Sequence, residues 1–559
     1  MRTVRFFRVP ATLPAVCLLV VTSIVSACAD RAPDADAPAE RPPRPEVPEA
    51  ERSGGTLVVA GDNDLTSMNP LVSTDTESLQ HQLHVLFTTL VRNDPDFQPV
   101  PYLAESWEFS PDGQSVTIVL REDVKWHDGE PVTARDVVFT WETARNPEIG
   151  YANVDYFDAW EGVELIDEYT LRFTVRPTAY PMYGWSQVAI LPEHILGDVP
   201  VDAFATHPFG TSSPVGSGPF RFVERVPGDR WVFEANPDFP AELGGRPYVD
   251  RYVYRAIPDD VAMVAALQSG EVDLVIEPPP ADMPRLVADP AFEVLTYSAP
   301  TYDFIAWNSR RPMFSDRNVR RALTMAIDRQ GLVDAILAGY GEVATGPVGA
   351  WHWAYDAVAP LPFAPDSARA ALAAAGWVDS DGDGVREKDG RKFAFTMFAT
   401  PGGSWRDIAE VIKANLAAVG VEMSIEIREG RAIMPLVSRA DRTFDAFLVG
   451  WSRDIPLDEK QLWACDQIEQ MFQFTSYCNP AVDAVLDSLA VVSDRDVLDH
   501  LVDRYGELIR ADQPYTFLYV PQQIAVARVE LRDVTIDARG DWNSITDWWI
   551  EPAARGRQP

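Results

Sequence analysis

Residues Leu103 to Trp141 read LAESWEFSPDGQSVTIVLREDVKWHDGEPVTARDVVFTW. Trp107 and Phe109, then Val116, Ile118 and Leu120, fall at alternating positions on either side of Pro111-Asp112-Gly113. Alternation with a period of two, broken by a Pro/Asp/Gly turn, predicts a β-hairpin. After a second turn at Asp128-Gly129, Thr133-Ala-Arg-Asp136 has capping-box spacing, and Val137, Val138, Trp141 and Ala144 recur at helical intervals. The stretch therefore predicts a hairpin that leads into a helix. It carries no catalytic set of its own.

Working outward, 559 residues are too many for one ordinary core, so at least two large ones are expected. A hydrophobic fraction of 46% with 24% charged residues is that of a folded globular chain. The formal charge is −36. Binding to nucleic acid rests largely on Lys and Arg neutralising phosphates, so this balance argues against a nucleic-acid partner.

The first 27 residues hold Arg2, Arg5 and Arg8, then a mostly apolar run from Val9 to Ala27, which is the pattern of a secretory signal peptide. Its end, Val25-Ser26-Ala27-Cys28, resembles a bacterial lipobox, in which Cys28 becomes the lipid-bearing first residue. Loss of the three arginines with no acidic residue would take the charge from −36 to −39. Pro10 and Pro14 interrupt the apolar run and argue against a transmembrane anchor. Residues 29–55 contain six prolines, seven acidic residues and no aromatic, too little apolar surface to offset ordering entropy. Segment 28–55 is accordingly read as a lipidated cysteine and disordered tether, with a reach of ~3 Å per residue from a membrane.

With Cys17 in the signal peptide and Cys28 lipidated, Cys465 and Cys478 remain. In an oxidising compartment a disulfide between them is the simplest reading, with two free buried cysteines as the alternative.

From Gly55 onward strand-like and helix-like pieces alternate, which predicts an α/β fold. Val215-Gly-Ser-Gly-Pro-Phe220 is glycine-rich but lacks the Lys-Ser/Thr of a phosphate loop and runs into a strand. Asp259 or Asp260 is placed to cap a helix that Gly270 ends, and Asn479-Pro480 opens another. Ser404-Trp-Arg-Asp407 again has capping-box spacing, and Val421 to Arg428 alternates like a half-buried strand.

Two acidic or histidine-bearing motifs invite a metal. Asp379, Asp381 and Asp383 with Gly384 match the start of a calcium loop, but its twelfth position is Gly390 in place of a bidentate glutamate, so a plain turn is preferred. His81 and His84 can share a helix face, but the surrounding Leu79, Leu83, Val85, Leu86 and Phe87 favour a packing role. No metal and no cofactor is expected.

The order of words from Leu103 to Trp141 closely resembles the signature of the family 5 extracellular solute-binding proteins, receptors that feed peptides, nickel complexes and some sugars to ABC importers. The resemblance continues through Val215 to Phe220, Asn236-Pro-Asp-Phe239, Gly245-Arg-Pro-Tyr248, Ala265 to Leu274 and Tyr302 to Asp328. It implies an α/β, two-lobed periplasmic-binding-protein-like fold of the class II or cluster C type with an extra subdomain in the first lobe. Lobe I would comprise 56–97, 211–305 and 516–555, the extra subdomain 98–210, and lobe II 306–515.

Gly450-Trp-Ser-Arg-Asp454 resembles the Gly-Trp-x-x-Asp segment of the peptide receptors, where Asp454 would pair with the α-amino group of a peptide and Trp451 would line the cleft. An ammonium drawn out of water needs such a charged partner. Arg453 is adjacent and is also placed to neutralise Asp454 within the chain. Ser67 and Asn69, in Leu65-Thr-Ser-Met-Asn-Pro70, and Trp405 complete the implied ligand-binding set, with Trp185, Trp351 and Trp353 as further cleft-wall candidates.

The implied function is a non-enzymatic receptor, exported and lipid-anchored to the cell envelope. It would work as a monomer and deliver a di- or oligopeptide to the transmembrane subunits and ATPase of an ABC permease. A non-peptide solute such as an oligosaccharide or nickel chelate is the main alternative. A secreted hydrolase lacks HExxH and GxSxG motifs, and an envelope scaffold would bind no solute.

Overall fold

Thr56–Gly61 sends Leu57 and Val59 to one face and Val58 and Ala60 to the other, and all four are buried. A strand apolar on both faces belongs inside a sheet covered on both sides. In the computed structural model, which describes residues 46–73, 75–401, 404–438, 442–453, 455–457 and 459–556, this strand pairs in parallel with Arg251–Ala256 and Leu274–Ile276. Arg230–Ala235 and Phe220–Val226 extend the sheet antiparallel on one side.

On the other side lies Tyr515–Arg528, the longest strand described, and it belongs to two lobes at once. Residues from Gln522 to Arg528 pair with Leu274–Ile276 and Phe292–Ser298 of the first lobe. Residues from Tyr515 to Tyr519 pair with Thr301–Trp307 of the second, whose sheet continues through Ala446–Ser452, Ala394–Ala399 and Glu422–Ile427. Among the described residues, ten strands thus form one continuous hydrogen-bonded path through both lobes, and two more pair with Tyr515–Arg528 off that path. Each half buries an apolar layer on each face. Ala525 and Ala527 face one first-lobe core and Ile524 and Val526 the other, while Phe304 and Ile305 divide likewise in the second lobe.

The 103–141 stretch forms the hairpin Ala104–Phe109 and Ser115–Leu120, and Thr170–Val175 and Trp160–Leu165 complete a separate four-stranded sheet. Helix Ala134–Ala144 starts from the Thr133/Asp136 capping box. The tryptophan proposed for a cleft wall at position 185 is fully buried here, with its ring 5.6 Å from Trp160 and 4.9 Å from Phe157, so it is core.

Other local readings resolve individually. Asp259 caps helix Asp260–Ser269, which ends at Gly270 in the left-handed conformation, and Asn479 caps Pro480–Leu489. Ser404 makes no capping bond to helix Trp405–Ala417: its backbone lies near φ −88°, ψ 7°, outside the extended geometry that aims a cap side chain at the first turn. The glycines of the 215–220 crossing serve packing. A Cβ at Gly216 would lie 1.9 Å from the Leu86 carbonyl oxygen, which accepts hydrogen bonds from Ser217 and Gly218. Strand Ala446–Ser452 carries Gly450 and Trp451, with Asp303 and Tyr302 opposite them in the ladder.

Cys465 and Cys478 are disulfide-bonded, beside the second-lobe core residues Trp463 and Tyr477. Closing a loop of this length restricts the unfolded chain. Replacing both cysteines by serine is expected to lower the free energy of unfolding by roughly 3 kcal/mol. Urea denaturation of the two proteins measures it, and coincident curves would show the bridge to be energetically idle.

Candidate functional site

A cavity of about 680 Å³ opens where three parallel strands end: Gly61 and Asp62, Tyr254, and Ile276 with Glu277 all line it. The space beyond the carboxyl ends of parallel strands is where open α/β sheets leave room for ligands. Leu79, Gln80, Leu83 and His84 enter from helix Thr76–His81 and the turn after it. Loop residues 538–543 add Asp541 and Trp542. The second lobe supplies Ser452, Arg453 and Ile455, and the shared strand supplies Gln523. The volume lies within the roughly 300–1,000 Å³ typical of small-ligand sites.

Charge is distributed unevenly around it. Arg453, buried, forms an ion pair of 2.9 Å with Glu459 and donates to the Pro347 carbonyl at 2.8 Å. Glu459 in turn accepts hydrogen bonds from the Trp463 indole at 2.9 Å and the Tyr505 hydroxyl at 2.6 Å. Arg539 is held by Asp537 through two contacts of 2.9 and 2.6 Å. Arg92 lies 4.0 Å from the Tyr102 ring centroid and makes no ion pair with a described residue.

Asp62, Glu77, Glu277 and Asp541 also line the cavity, and none has a basic partner among the described residues. Burial raises the Glu77 carboxyl, and Glu277, Asp75 and Asp62 push it further up. Asp541 rises to about 7, through burial first and then the charges of Glu277, Glu77 and Asp537, against the opposing effect of the Tyr297 hydroxyl. His84 falls to about 3 through burial and the nearby charges of Arg92 and Arg539.

The structure brings some of the sequence-predicted residues together. Gly450 lies beneath Trp405, and a Cβ there would sit 3.7 Å from the Trp405 ring and 2.6 Å from an Asp303 carboxylate oxygen. That explains glycine at this strand position: the neighbouring strand's aspartate occupies the space. Trp451 packs edge-on to Phe472, centroids 5.4 Å apart, and its carbonyl accepts from Thr301 Oγ1. Trp351 meets His352 edge-on and Trp353 stacks on it, in and against the second-lobe core.

Of the predicted set, Arg453 lines the cavity, whereas Gly450, Trp451 and Trp405 are not among its lining residues. The Arg453 guanidinium forms an ion pair with Glu459; the expected neutralisation of Asp454 falls on a residue outside the described ones. Ser67 and Asn69 are buried in a turn, where Ser67 Oγ accepts the Asn69 N–H at 3.0 Å and Asn69 Oδ1 accepts the Leu71 N–H at 3.1 Å. Asp454 and Cys28 lie outside the described residues, as do the signal peptide and most of the tether.

His81 is a packing histidine, bonded to the Glu77 carbonyl at 2.6 Å and the Tyr252 hydroxyl at 2.7 Å. His84 is a cavity residue. In the acidic turn, Asp379 accepts the Gly382 and Gly384 N–H groups and Lys392 pairs with Asp383. Glu387 joins these aspartates within 4.8 Å, but accepts from the backbone and hydroxyl of Ser380. Glu387 Oε1 has no hydrogen-bond partner among the described residues. The acidic wall was missed by sequence reasoning, since its members stand at 62, 77, 277 and 541 with no shared motif.

The sequence profile of the bacterial extracellular solute-binding proteins, family 5, matches residues 98–470. The oligopeptide-binding protein AppA of Bacillus subtilis is 32% identical over 505 residues, 89% of this chain and 92% of the relative. Its structure with a nonapeptide superposes with a TM-score of 0.72, covering 89% of this chain and 99% of that one. NikZ of Campylobacter jejuni, solved with Ni(L-His), shares the fold at 24% identity, with a TM-score of 0.71 over 88% of this chain and 99% of that one. DppA of Helicobacter pylori, in complex with the peptide STSA, does so at 24% and 0.71 over 90% of this chain and 99% of that one.

A carboxyl whose pKa is raised on folding contributes stability that is fully present below its unfolded value and is lost as pH rises through the folded one. For Asp541 that window runs from about 4 to about 7. The melting temperature of ligand-free Asp541→Asn relative to the parent should rise by a few degrees between pH 4 and pH 8. Differential scanning calorimetry reads both, and a gap independent of pH would refute the assignment.

Proposed function

The chain belongs to the family 5 bacterial extracellular solute-binding proteins, and on that premise we propose that it is the receptor of an ABC importer that captures a peptide between its two lobes. The observation that carries the reading is the cavity itself: it is walled by both lobes at the point where their shared strand crosses. A ligand that touches both walls stabilises the closed arrangement over the open one, and the closed form is what a permease can recognise. The 32% identity to an oligopeptide-binding protein over nine-tenths of the chain supports peptide over other solutes.

The lobes in this reading are 56–97 with 211–305 and 516–555 against 306–515, with 98–210 as the extra subdomain. Asp454 is the partner for the peptide α-amino group in this reading, by resemblance to the peptide receptors. In this reading the protein binds its ligand without turnover. The protein acts as a monomer, held to the envelope by a lipid on Cys28.

Calorimetric titration of the mature protein with short peptides should give one-to-one binding and return the peptides intact. Asp454→Asn is expected to weaken that binding at least tenfold, about 1.4 kcal/mol; equal affinity removes Asp454 from the site, and cleaved peptide refutes the receptor. Cells expressing the full chain should incorporate a clickable fatty-acid analogue, and Cys28→Ser should abolish the label. Persistent labelling would place the lipid elsewhere.

A further inference from the structure

We propose that the acidic wall formed by Asp62, Glu77, Glu277 and Asp541 is a subsite for an organic cation, so that preferred peptides carry a lysine or arginine side chain. The inference rests on the peptide reading above and narrows it to a substrate class. Four carboxylates from four separate segments converge on one cavity, and none is paired with a basic residue among the described residues. Three arginines share the lining, and Arg92 lies over the Tyr102 ring at 4.0 Å from its centroid, with no ion pair to a described residue. Arg453 and Arg539 are bound to Glu459 and Asp537, carboxylates that are not part of this wall.

Buried acceptors left open make a second, independent observation. Asp541 is only 7% exposed, and its Oδ1 has no hydrogen-bond partner; neither has Gln80 Oε1 at the neighbouring wall. Buried acceptors are satisfied in folded proteins in the large majority of cases, so an open one beside a ligand cavity calls for a donor brought from outside. The wall is also held in place. Glu277 sits at φ +53°, a left-handed conformation unusual for glutamate, with its N–H on the Ile524 carbonyl and its carboxylate accepting from Gln523 at 2.6 Å.

The class of cation follows from spacing. Groupings of acidic and histidine side chains compact enough for a single metal ion occur, among the described residues, at Asp379 to Glu387 and Asp499 to Asp503, away from this cavity. Carboxylates spread around a wall suit a group with several donors on a body of some length, which an ammonium or guanidinium on an alkyl stem provides.

The test uses the mature protein freed of ligand, titrated calorimetrically with alanine tetrapeptides carrying lysine at each position in turn, the matched norleucine series, and spermidine. The best lysine peptide should bind at least about tenfold tighter than its norleucine match. The preference should shrink severalfold in Glu77→Gln/Asp541→Asn and with added salt. Equal affinity of the two series in the unaltered protein overturns the cationic subsite while leaving the peptide receptor standing. Binding of spermidine with no peptide bound keeps the subsite and overturns the peptide reading, whereas failure of lysine peptides and spermidine alike overturns the subsite.

Discussion

The strand Tyr515–Arg528 couples everything else in the molecule, because its hydrogen bonds are divided between two lobes. A backbone group can serve only one ladder, so the partner must change somewhere along the strand. It changes at Pro521, which has no N–H to lose from either ladder. The Ala299 N–H reaches the Pro521 carbonyl at 3.2 Å, and Pro300 follows in the parallel crossing between Phe292–Ser298 and Thr301–Trp307. Two crossings, each carrying a proline, thus stand side by side. Relative motion of the lobes is confined to twisting about them, since neither lobe can leave without breaking a ladder with both faces buried.

That constraint also makes the cavity. Ala299, Pro300, Thr301 and Gln523 belong to the crossings and line the space, so the hinge backbone is the cavity floor. A ligand resting there contacts the elements that must move when the lobes close. Binding and closure share residues, and no relay between distant sites is required.

How much of this could be read in advance depended on distance along the chain. The Thr133/Asp136 capping box and the turns of the 103–141 hairpin are local, and each formed as its spacing dictates. Ser404 has the same spacing but not the backbone angle, so composition alone overstates capping. The glycine of Gly450-Trp451 was legible as a motif, but its cause was not: the carboxylate of Asp303 fills the space beside it from a strand far away in sequence. The acidic wall was least legible of all, since only the fold brings 62, 77, 277 and 541 to one place. In a chain of 84 acidic residues, four more attract no notice.

The two sides of the cavity differ in how complete they are without ligand. In the second lobe, Arg453 and Glu459 form a buried pair that is braced by a carbonyl, an indole and a phenol. Losing one partner of such a pair would strand a buried charge at a cost of about 3–5 kcal/mol, so that side is rigidly built beforehand. The first lobe instead holds carboxylates that raise one another's pKa and an open acceptor on Asp541. Their mutual repulsion is relieved by protonation or by an arriving cation, and anything bound to the folded state alone adds its binding free energy to stability. A receptor assembled in this way has one wall braced by a buried ion pair, which sets the geometry, and one wall of unpaired carboxylates that the ligand completes, and closure is favoured when the second condition is met.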